Sequence, residues 1–430
     1  MYLNNGANTG ILAEFGPNEF RPNVENGLTL VDYGRSPEDL IPSGRLEIFE
    51  EDFKYPRVFR TGFGIDRELS YGFTGTLEAQ FTKNMDNILV TNINLRPANE
   101  TLDGPDNRPI YAYGFETSDP NVIDQSATLI DDRYQNIHRV GNTSKGYSYD
   151  ISATLSKQFD SDLFTSISYT YGDSYTINDG TSSQINSIWD GMEHVNGANN
   201  LELSRSDFSL GHRVIANLNY RKEFFNHLAT SISIFMDASS GRPFSYTIAG
   251  SEDMIGENGG NTALMYIPEN AADLAYVGTP SEQAAQAEEL EAFISSSDYL
   301  NSRRGKYAER NGVRGPFEVV LDLKVKQEVF ADLLNRQQKV ELTFDVFNFT
   351  NLLGEIVGAN WGKRYTIGGS RSVLRFEEFQ DASNGDFTPV YSVTIPEEVN
   401  SQEELYNRNI QDSGTYSSRW LAQIGLRYSF

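Results

Sequence analysis

Polar and apolar residues alternate with a period of two over long stretches of this sequence. Between Tyr147 and Phe159 the even positions are all polar, and the odd positions are apolar except for Lys157. Because successive side chains of a β-strand point to opposite faces of a sheet, this pattern predicts a two-faced strand. The same alternation runs through residues 71–81, 163–171, 214–220, 228–236, 317–325, 340–346 and 420–430.

The predicted strands are longer than the five or six residues that are average in globular proteins. They match the roughly 9–11 tilted residues that a strand needs to cross a bilayer. Aromatic residues such as Tyr428 and Phe430 stand at strand ends, where membrane barrels carry their interfacial girdles. We therefore predict an all-β fold, an antiparallel transmembrane β-barrel. A mean hydropathy of −0.47 is compatible with it, since only alternate residues face lipid.

Short and long connections alternate along the chain, as in barrels with tight periplasmic turns and large extracellular loops. The long connections are residues 96–133, 173–209, 240–314 and 351–418. This order predicts nine membrane crossings within residues 57–430 and makes residues 1–56 extracellular loop material that leads into the barrel. Residues 87–95 and 134–142 are predicted strand extensions above the membrane, and residues 371–376 and 390–395 a hairpin in the last loop.

An odd strand number is unexpected, because bacterial single-chain barrels have even numbers of strands. Open sheet edges in lipid are also strongly unfavourable. Residues 1–6 show no basic segment followed by an apolar core, the pattern of a signal peptide. We expect the chain to be the C-terminal part of a larger barrel, or to hold a further strand within residues 1–56.

One helix is predicted in the loop of residues 240–314. Thr279 suits the N-cap, Pro280 the first helical position, and Glu282 the third position of a capping box. Apolar residues follow at helical spacing. We expect a small helix packed on its own loop; a helix that docks a partner is the alternative.

The composition excludes several classes of function. Sixty acidic and 35 basic residues give a net charge of −25, which argues against a nucleic-acid partner bound through its phosphates. The absence of cysteine rules out disulfides, thiolate metal sites and cysteine nucleophiles. The four histidines are isolated, and no HExxH, GxSxG or GxxxxGK[ST] motif occurs. We expect surface or loop histidines and no enzymatic activity.

Two acidic segments, Asp131-Asp132 and Asp103 to Asn107, offer oxygen ligands of the kind that Ca²⁺ prefers. Their spacing is not that of a calcium loop, so the favoured interpretation is a solvated turn in each case and no cofactor. Charged residues on the polar sides of the strands are predicted to point into a lumen, where they solvate one another, hold a plug or line a substrate route: Asp150, Asp322, Lys324, Lys326, Glu341, Asp345 and Arg427.

The chain resembles the Oar-like TonB-dependent receptors of Bacteroidota, relatives of the SusC-like transporters. The resemblance rests on the order of several short segments: FKYPRVFRT at 53–61, GTLE at 75–78, NTSKGY at 142–147, GHRV at 211–214, SGRPFSY at 240–246 and FDVFNFTNLL at 344–353. The last residues look like the closing strand of outer-membrane barrels, which makes Trp420, Tyr428 and Phe430 part of the barrel-assembly signal.

The resemblance implies a receptor or transporter in the bacterial outer membrane, in contact with lipid and lipopolysaccharide. It further implies about 22 strands around an N-terminal plug, and energy supplied by the TonB complex through that plug. The plug and the TonB-contacting segment are not in this chain, and a surface lipoprotein partner is left open. We name Trp189, Tyr266, Trp361 and Tyr365 as ligand-facing loop aromatics. The alternative functions are a barrel that serves as a scaffold in a surface complex, and a soluble glycan-binding sandwich.

Overall fold

A computed structural model describes residues 44–225, 228–257, 259–333, 338–396, 399–410 and 418–430. The predictions for residues 1–43 and for His227 lie outside this part of the chain. The strands are β1 Gly44–Phe49, β2 Arg57–Glu68, β3 Thr74–Asn92, β4 Glu100–Thr101, β5 Pro109–Ile110, β6 Tyr134–Thr143, β7 Gly146–Gln158, β8 Leu163–Thr176, β9 Ser204–Arg205, β10 Gly211–Phe225, β11 Leu228–Ser239, β12 Pro243–Ala249, β13 Tyr266–Ile267, β14 Ala275–Tyr276, β15 Lys306–Tyr307, β16 Val313–Arg314, β17 Glu318–Leu333, β18 Gln338–Phe347, β19 Gly369–Asp381, β20 Asp386–Val393 and β21 Leu421–Ser429.

The helices are short apart from one. They are α1 Ile185–Asp190, α2 Ser251–Ile255, α3 Pro280–Ser296, α4 Asp298–Ser302, α5 Phe349–Val357 and α6 Gln402–Arg408. Short 3₁₀ turns lie at Ser70–Gly72, Gln125–Thr128, Ala198–Asn200, Ala271–Asp273 and Ala382–Asn384. Among the described residues, no helix is long and apolar enough to cross a membrane.

Nine long strands form the main sheet, each antiparallel to the next, in the order β2, β3, β7, β8, β10, β11, β17, β18 and β21. Eight of them are the strands that the alternation predicts, and β2 is the further crossing predicted from the order of short and long connections. No pairing within the described residues joins β2 to β21, so the sheet is open along both edges. The structure therefore shows a nine-stranded arc, and neither a closed barrel nor the strand number of 22 is observed.

All the short connections of this sheet lie at one end, here called the turn end, and all the long ones at the other, the loop end. The turns are tight: Tyr71 and Asp162 adopt left-handed backbone conformations, with φ of 64° and 56°. At the loop end β3 continues past β7 and pairs with β6, to which β1 adds as a parallel strand. The predicted extensions of residues 87–95 and 134–142 correspond to this pair.

The long loops fold together into one body at the loop end, here called the loop body. Its core joins residues from the connections after β3, β11 and β18, among them Ile110, Phe244, Phe293 and Phe376. A second sheet, in the order β14, β20, β19, β12 and β16, crosses it. Two of its pairings are parallel, β12 with β19 and β14 with β20, so antiparallel pairing is general only in the main sheet. The predicted hairpin of residues 371–376 and 390–395 is part of β19 and β20.

The helix α3 begins where the sequence predicts. Thr279 accepts a hydrogen bond from the Glu282 amide, and the Glu282 carboxylate accepts one from the Thr279 amide in return. The helix buries Leu290, Phe293 and Ile294 in the core of the loop body. Its neighbours include β20, which belongs to another loop, so α3 helps to join the loops rather than packing on its own loop alone.

Candidate functional site

One face of the main sheet is apolar, and most of it is exposed. The register aligns apolar side chains in rows that cross several strands, such as Ile65, Leu77, Ala153, Tyr169 and Val214, or Tyr220, Ile232, Val325, Phe344 and Ile424. Ile424 is 73% exposed and Leu426 74% exposed. Exposed apolar patches of this extent mark contact with a protein or a membrane.

The opposite face of the same sheet is polar. One of its rows is Asn219, Ser233, Lys324, Asp345 and Gln423. The seven charged residues predicted to share a lumen side have the backbone parity of this face: Asp150, Asp322, Lys324, Lys326, Glu341, Asp345 and Arg427. Whether that face encloses a lumen depends on closure of the sheet, which the described residues do not provide.

Ion pairs cross the strands on the polar face. Lys324 Nζ lies 2.9 Å from Asp345 Oδ1, and Lys326 Nζ lies 3.1 Å from Glu341 Oε1. Lys339 Nζ contacts both Glu328, at 2.7 Å, and Glu341, at 3.0 Å. Glu328 and Glu341 are buried, and Asp345 is half-buried. Cross-strand pairs of opposite charge stabilise the register of a sheet, so this network holds β17 and β18 together.

A concave cavity of about 590 Å³ lies on the polar face. Its lining includes four basic side chains, those of Arg221, Lys324, Lys326 and Arg427. Lys324, Lys326 and Arg221 are paired with carboxylates, and Asp162 also lines the cavity. The cavity therefore offers paired charges and hydrogen-bonding neighbours such as Asn219 to a polar solute.

A second cavity, of about 690 Å³, lies in the loop body between the connections after β8 and after β12. Its walls include the charged residues Glu193, Arg205, Arg303, Lys306 and Arg310. Tyr307 also lines it, and burial raises the pKa of that phenol. Tyr307 is therefore protonated at neutral pH and donates a hydrogen bond to Asp106 Oδ1 at 3.1 Å.

Two buried charge contacts hold the walls of the second cavity. Arg310 Nη2 lies 2.6 Å from Asp179 Oδ2. His194 Nε2 lies 2.8 Å from Glu257 Oε1, and His194 Nδ1 accepts a hydrogen bond from the Gly197 amide. Since Nδ1 is an acceptor, the ring proton is assigned to Nε2, which lies close to the Glu257 carboxylate without forming a hydrogen bond. Each contact joins two different loops. The walls of the cavity are therefore held together by contacts between residues that are distant in the sequence.

The four predicted ligand-facing aromatics do not lie together. Trp189 is fully buried in a small separate core, and its Nε1 donates to Asn199 Oδ1 at 2.8 Å. Tyr266 is half-buried edge-on against Tyr307, with ring centroids 5.5 Å apart. Tyr365 is half-buried, and burial raises its pKa. Trp361 is 52% exposed. Ligand contact by these residues stays a prediction, and exposure favours Trp361.

The three residues assigned to the assembly signal lie at the two ends of one apolar row on β21 and its flanks. Tyr428 and Phe430 stack with ring centroids 5.7 Å apart, and Phe430 is 94% exposed. Trp420 lies at the loop end, where its Nε1 donates to Glu355 Oε2 at 2.9 Å. The exposed side chain of Phe430 is compatible with a part in the barrel-assembly signal. That role stays a prediction.

The two acidic segments considered for Ca²⁺ already have cationic partners. Arg108 Nη2 lies 2.8 Å from Asp106 Oδ2, and both side chains are buried. Arg133 donates to both oxygens of Asp131 and holds the pKa of that carboxyl below its usual range. No group of three or more histidine, aspartate or glutamate residues within the described part of the chain is arranged to hold a metal ion.

Two of the histidines are more buried than the sequence predicts. His138 is fully buried beside Trp189, with ring centroids 5.4 Å apart, and both of its ring nitrogens lack a hydrogen-bond partner. His194 is buried against Glu257. The prediction of a surface or loop residue is therefore wrong for His138, which is buried within β6. The alternation of β6 places His138 on the buried side with Asn136 and Val140. This alternation is the sequence pattern from which the burial of His138 could have been predicted.

The comparisons with known proteins bear on this arrangement. The family model for the outer membrane beta barrel domain matches residues 3–353, which is most of the chain. The chain belongs to the outer membrane β-barrel domain family. Its location is accordingly the bacterial outer membrane, as the sequence predicts.

A solved structure is similar at a lower level. It is the crystal structure of the outer membrane transporter YddB from Escherichia coli, with 12% sequence identity and a TM-score of 0.32. The match covers 71% of this chain and 30% of YddB, so the chain spans about a third of the length of that transporter. Similarity at this level has no bearing on activity. No curated protein matches the sequence.

Proposed function

We propose that this chain is part of an Oar-like TonB-dependent receptor that takes up a solute across the outer membrane. The observation that carries the proposal is the two-faced sheet, with an apolar face for lipid and a polar face lined by paired acidic and basic residues below a folded loop body. In the complete molecule about 22 strands would close the sheet, with a plug inside it that contacts TonB. The turn end would face the periplasm and the loop body the outside.

The second cavity supplies the first contact with the solute in this proposal. It opens in the loop body, which faces the medium, and Lys306 contributes an exposed ammonium group to its wall. The cavity on the polar face would then receive the solute after the plug moves. Charged and hydrogen-bonding groups of both signs line the two cavities, which favours a polar solute.

The proposal is tested by uptake in cells that carry the wild-type gene, a deletion, or a variant. A defined mixture of casein-derived peptides and dextran oligosaccharides is supplied, and its depletion is followed by mass spectrometry. We expect some components to be depleted only with the wild-type gene, and only while the protonmotive force is intact. Lys306→Ala should slow that depletion severalfold, while the exposed Lys145→Ala should leave it unchanged.

A scaffold within a surface complex is the second candidate. The observation that favours it is the loop body itself, whose shared core makes it a rigid surface rather than a set of independent loops. Two results together would favour the scaffold over transport. The wild-type and deletion strains would deplete the mixture equally, and the loop body would bind a surface partner in stoichiometric amount.

A further inference from the structure

The helix α5 is amphipathic with its polar side inward. Apolar residues follow one another at helical spacing along one stripe: Phe349, Leu352, Leu353, Ile356 and Val357. The residues of α5 that are buried against the protein are Asn351 and Gly354, whereas Ile356 is 72% exposed and Val357 60% exposed. Phe349, Leu352 and Leu353 at the start of the stripe are half-buried. A helix on a water-soluble protein turns its apolar stripe to the core. Here the end of the stripe, Ile356 and Val357, is exposed, which calls for an apolar environment outside the protein.

The helix is held rigidly in this orientation. Asn348 in the left-handed conformation caps it, with φ of 50°, and its side chain accepts a hydrogen bond from the Asn351 amide. Asn351 Nδ2 donates to the Trp361 carbonyl, and Asn351 Oδ1 accepts from the Trp420 amide. A Cβ added at Gly354 would lie 3.0 Å from that of Trp361. The helix and both tryptophans therefore form one unit.

Trp420 joins α5 to the end of the apolar face of the main sheet. Trp420 lies in line with Ala422, Ile424 and Leu426 of that face, and it is bonded through its indole to Glu355 of the helix. The ten residues of β18, at the tilt of a membrane strand, span about 23 Å along the membrane normal. The apolar band of outer-membrane barrels is about 25 Å tall, so α5 follows directly where that band ends.

We propose that α5, with Trp361 and Trp420, is an interfacial anchor whose stripe inserts among the lipid acyl chains of the outer leaflet. The inference rests on the membrane placement of the apolar face. Tryptophans concentrate at the membrane–water boundary, and short amphipathic helices lie in that boundary with their apolar side buried to about 5–10 Å. The anchor fixes the height of the barrel rim at the last long loop.

The tryptophans of this chain provide the test, because Trp189 is fully buried and the other two are exposed. Three variants of the full-length protein each retain one of them, with every other tryptophan replaced by phenylalanine. Each is reconstituted into phosphatidylcholine vesicles with bromine atoms at a shallow or a deep position of the acyl chain. We expect emission from Trp361 and Trp420 to fall at least twofold with shallow bromines, and that from Trp189 to stay unchanged.

The outcomes separate the anchor from the membrane face. If Trp420 is quenched by bromines and Trp361 is instead quenched by aqueous iodide, α5 faces water, and the inference is overturned while the membrane face stands. Quenching of Trp361 by neither reagent would show a protein partner or second copy over α5, and would also overturn it. If bromines quench neither Trp361 nor Trp420, the membrane placement of the apolar face itself is wrong.

A variant adds an independent check. Ile356→Glu with Val357→Glu places two charges in the stripe, and bromine quenching of Trp361 should fall by at least half while that of Trp420 persists. The matched control is Ile130→Glu, an exposed isoleucine of the loop end, which should leave quenching unchanged. Equal quenching in the double variant and the wild type contradicts insertion of the stripe.

Discussion

Charged side chains inside the loop body are paired where water cannot reach them. Arg108 bonds to Asp106 through Nε, and its Nη2 donates to the Leu264 carbonyl at 2.7 Å. Burial alone would lower the pKa of Arg108, but the charge and hydrogen bond of Asp106 outweigh it and raise the pKa. Removal of one partner from a buried pair leaves a charge without compensation, which is far more costly than loss of a surface pair.

The variant Asp106→Asn leaves Arg108 buried without a counter-charge. We expect the free energy of unfolding of the loop body to fall by about 3–5 kcal/mol, measured by hydrogen exchange of the amides of β12 and β19. The matched control is Asp132→Asn in an exposed position, with an expected change within about 0.5 kcal/mol. Equal exchange in the two variants would show that the pair does not stabilise the loop body.

His138 makes the loop end sensitive to pH. Burial lowers its pKa to about 4, and the charge of Arg45 acts in the same direction. Because the folded state resists protonation, stability is fully present above the ordinary pKa of about 6.5 and falls as the pH drops towards 4. At pH 5 the expected loss is about 2 kcal/mol.

The neighbouring Trp189 reports this transition in the variant that retains it as the single tryptophan. Thermal unfolding followed by its emission should begin at a lower temperature at pH 5 than at pH 7.5 when His138 is present. His138→Phe keeps a ring against Trp189 and removes the titrating group, so the shift should largely disappear. A shift of the same size in both proteins would assign the pH dependence to other groups.

At the scale of elements, the start of α3 is set by a local signal. The reciprocal bonds of Thr279 and Glu282 satisfy donors that a helix otherwise leaves free. Thr279→Ala should cost about 1 kcal/mol in the opening free energy of α3, measured by hydrogen exchange of its first-turn amides. Ser281→Ala is the control on an exposed neighbour, with a change of a few tenths of a kcal/mol. Similar exchange in both variants would contradict the role of the cap.

Elements that rest on local patterns could be predicted from the sequence. Eight of the nine long strands follow from period-two alternation, β2 from the order of short and long connections, and α3 from its cap. Pairings between distant segments could not, because no local pattern specifies a parallel partner. The partnership of β1 with β6, and that of β12 with β19, are of this kind. The assembly of three loops around one core depends on the same long-range contacts.

The same limit applies to the site. The charged residues of the polar face could be predicted because alternation assigns the side of a strand. The burial of Trp189 could not, since a tryptophan in a loop has the same local sequence whether it packs or binds. The His194 and Glu257 contact joins residues far apart in sequence and has no local signal. The ion pair of Asp106 and Arg108 could have been predicted, because the two residues carry opposite charges and lie two positions apart in the sequence.

At the scale of the whole molecule, one sheet separates two environments. Apolar rows run across nine strands on one side, and charged rows on the other, while the loop body closes over the loop end. The edges at β2 and β21 leave backbone groups without partners among the described residues. In hydrocarbon such edges must be paired, which is why the proposed function includes further strands.

The division into a lipid face and a water face is tested most directly by spin labels on alternate residues of β21. The absence of native cysteine in this chain allows single cysteines at Ala422, Gln423, Ile424, Leu426 and Arg427. Gly425 is omitted because a Cβ there would lie 2.6 Å from Thr343 Oγ1.

Collision rates of each label with oxygen, which enriches in lipid, and with a water-soluble nickel complex are measured by electron paramagnetic resonance in the reconstituted full-length protein. We predict that labels at 422, 424 and 426 favour oxygen and labels at 423 and 427 favour nickel. Nickel access at all five positions, or loss of the period of two, would contradict the account.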